Sequence, residues 1–206
     1  TRGRAIMPRL IPAFQRQYPN VEIMLRECSN DAIQKALLSG GIDLAIAAYP
    51  KVPPSIELAD YYTEHTVLCL VDSLLVQCQI DLDVRRNEIA AGDLHSLRDC
   101  PFVLGSAADI GGRIGRELLR ASGISPISKA TSENVETLLA LCVQGVGACF
   151  CPENLLQTAL SPEQLAQLHI LPLCPSASYP ICFGYLRRSY PWSVLSELIL
   201  IAREQI

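Results

Sequence analysis

No apolar run in the chain approaches the ~20 residues a helix needs to cross a bilayer, and the first residues hold no apolar h-region. Neither a membrane-spanning helix nor a retained secretory signal is therefore expected, and the membrane is not an expected partner. Charge is scarce: 18% of the 206 residues are Asp, Glu, Lys or Arg, and their balance is −4. That sign is wrong for a free-standing nucleic-acid binder, which sets clustered Lys and Arg against phosphate. Histidine is scarcer still. His65, His95 and His169 are scattered, with no paired nucleophile motif beside any of them. Gly145-Val146-Gly147 lacks the third glycine of a dinucleotide loop and stands at the end of a helical pattern rather than its start. No catalytic constellation and no cofactor is expected.

Cysteine is the exception. The nine are odd in number and irregularly spaced, which fits neither a disulfide framework nor a standard zinc pattern. Cys69, Cys142, Cys149, Cys151 and Cys182 sit among apolar residues, where a thiol behaves as a small hydrophobe. A reducing, cytoplasmic setting is the expectation.

Half of the residues are hydrophobic, enough for a proper core in one large domain or two small ones sharing a cleft. The stretch from Tyr18 to Pro50 organises the rest. Val21, Ile23 and Leu25 alternate with Glu22, Met24 and Arg26, the period of a half-buried strand. Ser29 and Asn30 follow, both strong N-cap types. Ile33, Ala36 and Leu37 share a helical face, Gly40-Gly41 stops the helix, and Leu44 to Ala48 reads as a buried strand. Such a βαβ unit opens a crevice where the strand ends and the helix begins.

Before this unit, Ile6, Leu10, Ile11 and Phe14 mark a helix that Thr1 can cap, with Pro8 and Pro12 predicting an irregular or late start. After it, strands are expected at 66–71, 102–104, 148–151, 169–173 and 181–186, and 72–87 is poorly patterned. Helices are expected over 110–121, from Ser132 or Glu133 to about 144, from Pro152-Glu153 to about 160, and over 192–203. The alternation gives an α/β class with largely parallel sheets.

Three stretches, taken together and in order, resemble the effector-binding domain of LysR-type transcriptional regulators: LIPAFQRQYPNVEIMLRE with LLSGGIDLAIA, then FVLGSAADIGGRIGRELLRASG, then SENVETLLALCVQGVGACFCPE. The resemblance implies two Rossmann-like α/β subdomains joined by two crossing strands, in the manner of a type 2 periplasmic binding protein. Residues 1–70 plus 177–206 would form the first subdomain and 71–176 the second, with a small effector between them. It further implies a winged helix-turn-helix ahead of this chain, through which alone DNA is bound. It implies a homodimer, or tetramers of such dimers, packed through the outer faces of helices near 4–17 and 109–121 or 133–144. A strand that the family places before Thr1 is also expected upstream.

By the same resemblance, effector contacts fall on Thr1, Ser29, Asn30, Tyr49, Ser106, Ala107, Asp109, Ser132, Ala148, Cys149 and Phe150. Hydroxyls and free N–H groups at helix starts favour an anionic or polar metabolite. Each of these residues has an ordinary structural reading as well: hydroxyls cap helices, Tyr49 and Phe150 fill cores, and Arg113 and Arg116 near a helix start are usually solvated. Peroxide-sensing members of the family carry a reactive cysteine in the region matching 104–123, and this sequence has none from Pro101 to Leu141. The rival reading is the solute-binding protein of a transporter, which shares the two-lobed architecture.

Overall fold

In a computed structural model of the chain, residues 2–107, 109–187 and 192–205 are described, the side chains of Asn30 and Asp31 excepted. The chain separates into two compact units: a larger one over Glu64–Ser178, and a smaller one built from Arg2–Thr63 with Tyr179–Ile206. Two strands carry the chain from one to the other, so the α/β two-unit architecture expected from the sequence is present.

The smaller unit opens with helix α1 (Arg2–Gln17), whose buried Leu10, Ala13 and Phe14 pack with Phe183 and with the last helix, α9 (Ser193–Arg203). Contrary to the expectation of an irregular start, α1 runs unbroken through Pro8 and Pro12. Both prolines lie four apart on the exposed side, where water can take the carbonyls that a missing N–H leaves free. Helix α2 (Asn30–Leu38) ends as read: Gly40, at φ 71°, and Gly41 donate back to the carbonyls of Leu37 and Ala36.

The strand expected at 21–25 does not form. Val21 and Ile23 are half-buried in the α1–α9 cluster, but among the described residues no strand pairs with this stretch. The alternation reports a half-buried face, and a ladder partner is a separate requirement. Strand β1 (Ala45–Ala47) instead pairs antiparallel with β7 (Ser178–Leu186), which lies beside β2 (Ile56–Val71).

The larger unit is built on the second half of β2. On one side β2 pairs antiparallel with β5 (Cys149–Pro152), and on the other with β6 (Leu168–Pro172). Strand β3 (Pro101–Gly105) joins through Ala148, whose N–H donates to Pro101 (2.8 Å) and whose carbonyl accepts from Val103 (2.9 Å). Strand β4 (Ile127–Ser132) lies parallel to β3. Among the described residues the ladders are thus mixed rather than largely parallel: β1–β7, β2–β5 and β2–β6 run antiparallel and β3–β4 parallel.

Alternate residues of this sheet enter two cores. Leu68, Leu70, Phe102, Leu104, Phe150 and Leu171 face one side, covered by helices α3 (Asp72–Gln77), α4 (Leu82–Ala90) and α5 (Ile110–Ala121). Val67, Cys69, Val103, Cys149 and Cys151 face the other, covered by α6 (Val135–Val143) and α7 (Leu156–Ala159). A sheet buried on both faces needs continuous apolar strands. That is why 66–71 and 148–151 are legible in the sequence. The exposed edge strand β4, and α3 and α4 within 72–90, give no such signal. A short helix, α8 (Pro162–Leu165), follows α7, starting from a capping box in which Ser161 and Gln164 bond reciprocally.

Candidate functional site

Strands β3 and β4 run parallel, so their carboxyl ends share one edge, and the helices that follow begin there. In α/β folds this edge is where ligands are met. The Ser106 N–H donates to the Ser132 carbonyl (3.2 Å), extending the β3–β4 ladder by one bond past Gly105. The Ser106 carbonyl then accepts from the Asp109 N–H (3.1 Å), which turns the chain into α5. Asp109 is the N-cap of α5, its Oδ2 accepting from the Gly112 N–H (3.2 Å). From the other strand, Ser132 Oγ accepts from the Asn134 N–H (3.0 Å), and Asn134 caps α6 by accepting from Glu136 (2.8 Å) and Thr137 (3.4 Å). Three of the expected contact residues, Ser106, Asp109 and Ser132, therefore stand together, with Ala107 exposed between the first two.

Arg116 adds a positive charge at this edge. Its Nη2 donates to the Gly105 carbonyl, the last of β3, at 2.9 Å, while its Nε is buried and finds no hydrogen-bond partner among the described residues. A buried donor without an acceptor forfeits its hydration. Arg113, by contrast, is exposed, with its Nε 4.0 Å from Glu117.

Three other expected contacts lie elsewhere. Ala148 and Cys149 are fully buried and Phe150 nearly so, with the Phe150 ring stacked on Phe102 at 6.0 Å and filling the space over Gly115. Backbone pairing and core packing account for all three.

In the smaller unit, Ser29 is the N-cap of α2 in extended conformation, exposed, and its hydroxyl makes no cap hydrogen bond. Among the described residues, the cap that its residue type promises is not made. Asn30 begins α2, and its side chain lies outside the described residues, as does Thr1. Tyr49 is half-buried, lies across Gly184, and donates to the Ala45 carbonyl at 3.5 Å. Burial first, and the neighbouring Cys182 thiol second, push its phenol far above the usual range. A residue the sequence did not single out is Glu27. Its Oε1 stands 2.7 Å from where a Cβ on Gly3 would be. A carboxylate thus lies against the first turn of α1, which has no acidic residue of its own.

A shallow depression of 470 Å³ lined by Ala91, Gly92, Asp93, His95, Ala121 and Ser122 sits at the far, C-terminal end of α5, away from this edge. Among the described residues no three His, Cys, Asp or Glu side chains are placed to hold a metal ion, and no helix is long and apolar enough to cross a membrane.

The family description "LysR substrate binding domain" matches residues 1–206, the whole chain. The chain belongs to the LysR substrate-binding domain family. It is a ligand-binding domain of the LysR type. IlvY, an HTH-type transcriptional activator of Salmonella typhimurium, is 26% identical over 157 residues, 76% of this chain and 50% of that protein. The chain thus spans about half the length of the curated relatives it matches. Among solved structures, the reduced OxyR regulatory domain from Pseudomonas aeruginosa superposes with a TM-score of 0.75 at 17% identity, covering 98% of this chain and 92% of that one. The BenM effector-binding domain with its effector benzoate gives 0.74 at 20% identity, over 97% of this chain and 85% of that one. These likenesses show the fold, that of type 2 periplasmic binding proteins.

Proposed function

We propose that this LysR substrate-binding domain is the sensing part of a transcription regulator and takes a small polar or anionic metabolite at the carboxyl edge of β3 and β4. The observation that carries the reading is the convergence there of Ser106, Asp109 and Ser132, drawn from separate stretches of sequence onto adjacent strand and helix ends. Arg116 supplies positive charge at the same edge. Benzoate on the BenM domain is a carboxylate, the chemistry such a charge favours. Asp109 already occupies the cap of α5, so the ligand's acceptor groups face hydroxyls and Arg116 rather than that helix end. The subdomains divide as the family resemblance implies.

The protein works as a binding module and not as an enzyme, in the cytoplasm, where its nine free thiols suit reducing conditions. DNA contact belongs to a helix-turn-helix domain beyond this chain, as the HTH-type description of IlvY suggests. Homodimers are the working state, and light scattering at high protein concentration that finds only monomer would remove this part of the reading.

The test is a thermal-shift titration with carboxylates, amino acids, phosphate and sulfate. A ligand at 100 times its dissociation constant stabilises by ~2.7 kcal/mol, a shift of several degrees. A saturable shift that Ser132→Ala and Arg116→Gln each weaken about tenfold, about 1.4 kcal/mol in binding, supports the site. Ser29→Ala tests the smaller unit independently. Binding confined to neutral apolar compounds overturns the reading.

A further inference from the structure

Four thiols crowd one spot in the core of the larger unit. Cys69 on β2 and Cys149 on β5 are directly opposed across the antiparallel ladder. The Cys69 Sγ lies 3.7 Å from the Cys151 Sγ, and the Cys142 thiol on α6 donates to the Cys69 carbonyl at 3.3 Å. All four are fully buried, and none is bonded to another. Isolated buried cysteines are inert small hydrophobes, but directly opposed strand residues have Cα atoms about 4.5–5.5 Å apart, inside the window a disulfide requires.

We propose that Cys69 and the β5 thiols that face it form a dithiol couple, closed to one disulfide by hydrogen peroxide and reopened by thiols. In the first step the Cys69 sulfur attacks a peroxide oxygen, the O–O bond breaks, and water leaves, which makes a sulfenic acid. In the second, a β5 sulfur attacks Cys69, the S–O bond breaks, and hydroxide leaves with the β5 thiol's proton as a second water. The two sulfurs are each oxidised by one electron and the peroxide is reduced to two waters. Cys69 is the attacking member because it is the shared neighbour. Hydrogen bonds from Cys149 first, and from Cys151, hold its thiol well below the usual range, whereas contacts with Cys142 and its neighbours, together with burial, push Cys149 up. The thiolate is the reactive form. Strand β2 carries the chain from the smaller unit into the larger one, so the bond staples a shared strand to β5.

The experiment uses the native chain. Iodoacetamide first blocks the accessible thiols, with Cys28 exposed and Cys78 and Cys174 half-buried. Hydrogen peroxide follows, then denaturation in N-ethylmaleimide and peptide mapping. The expected product is the Cys69 peptide joined to Cys149 or Cys151, lost on treatment with dithiothreitol, with Cys142, Cys100 and Cys182 recovered as maleimide adducts. Recovery of Cys69, Cys149 and Cys151 as adducts, at a peroxide dose that oxidises unblocked Cys28, overturns the proposal. So does a disulfide between Cys149 and Cys151 in a folded Cys69→Ala variant. The wild-type map stands on its own if that variant fails to fold. No ligand enters the experiment, so its outcome is separate from the effector reading.

Discussion

At Gly112 one methyl group decides whether α5 can start where it does. A Cβ there would lie 2.7 Å from the carbonyl carbon and 2.9 Å from the oxygen of Gly105, both backbone atoms of β3. At the adjacent Gly111 the near neighbour is only the Asp109 carboxylate, at 3.2 Å. Alanine is the better helix former by about 1 kcal/mol, yet overpacking against backbone costs about 1–3 kcal/mol. Gly112→Ala is therefore expected to lower stability in urea unfolding by about 1 kcal/mol net of these two terms, with Gly111→Ala close to neutral.

Tyr49 fixes a pH dependence. Its phenol is raised in the fold, so the neutral form is the stabilised one. That contribution is complete below the unfolded pKa of about 10 and is lost as pH rises from there towards the folded value. Tyr49→Phe should flatten the alkaline limb of the stability curve above about pH 10 while leaving the neutral region little changed. Residue identities in the sequence did not disclose such roles. Phe150 and Cys149 carry apolar or thiol side chains suited equally to a pocket wall and a core, and only the strand register, which turns them inward, separates the two.

Among the elements, the sequence signal was strong where burial and hydrogen bonding coincide. Helix α5 spans the expected 110–121, because its apolar face, Asp109 cap and terminal Gly123 at φ 70° agree. The stretch 21–29 shows the opposite case, an alternation without a ladder. Beyond the Val21 N–H, which donates to Tyr18, no backbone amide over 22–28 donates within the described backbone network. Hydrogen exchange should find the amides of 22–28 unprotected and those of Val67 to Cys69, set between β5 and β6, among the slowest. Equal protection in the two stretches would mean that 21–29 is paired in solution. Helix α6 offers a test of its cap. Asn134→Ala removes the acceptor for the Glu136 and Thr137 N–H groups and should cost about 1 kcal/mol in urea unfolding.

Across the whole molecule, the acidic balance and the two-unit division bear on what the chain can do alone. Its net charge of −4 has the wrong sign for binding a nucleic-acid backbone. Fluorescence anisotropy with a random-sequence duplex at physiological salt is expected to show no binding by this chain. The two-unit order was legible because three motifs fall in the right sequence. The ligand was not, because capping hydroxyls look alike whether they hold a helix or a metabolite.

One exposed thiol has a use of its own. Cys28 immediately precedes the Ser29 cap of α2, and of the nine cysteines it alone is exposed. A maleimide dye supplied at less than one equivalent should therefore settle beside the start of α2 with no engineering. The native sequence thus carries its own optical reporter, and a change in emission during titration would register whatever arrives near that helix.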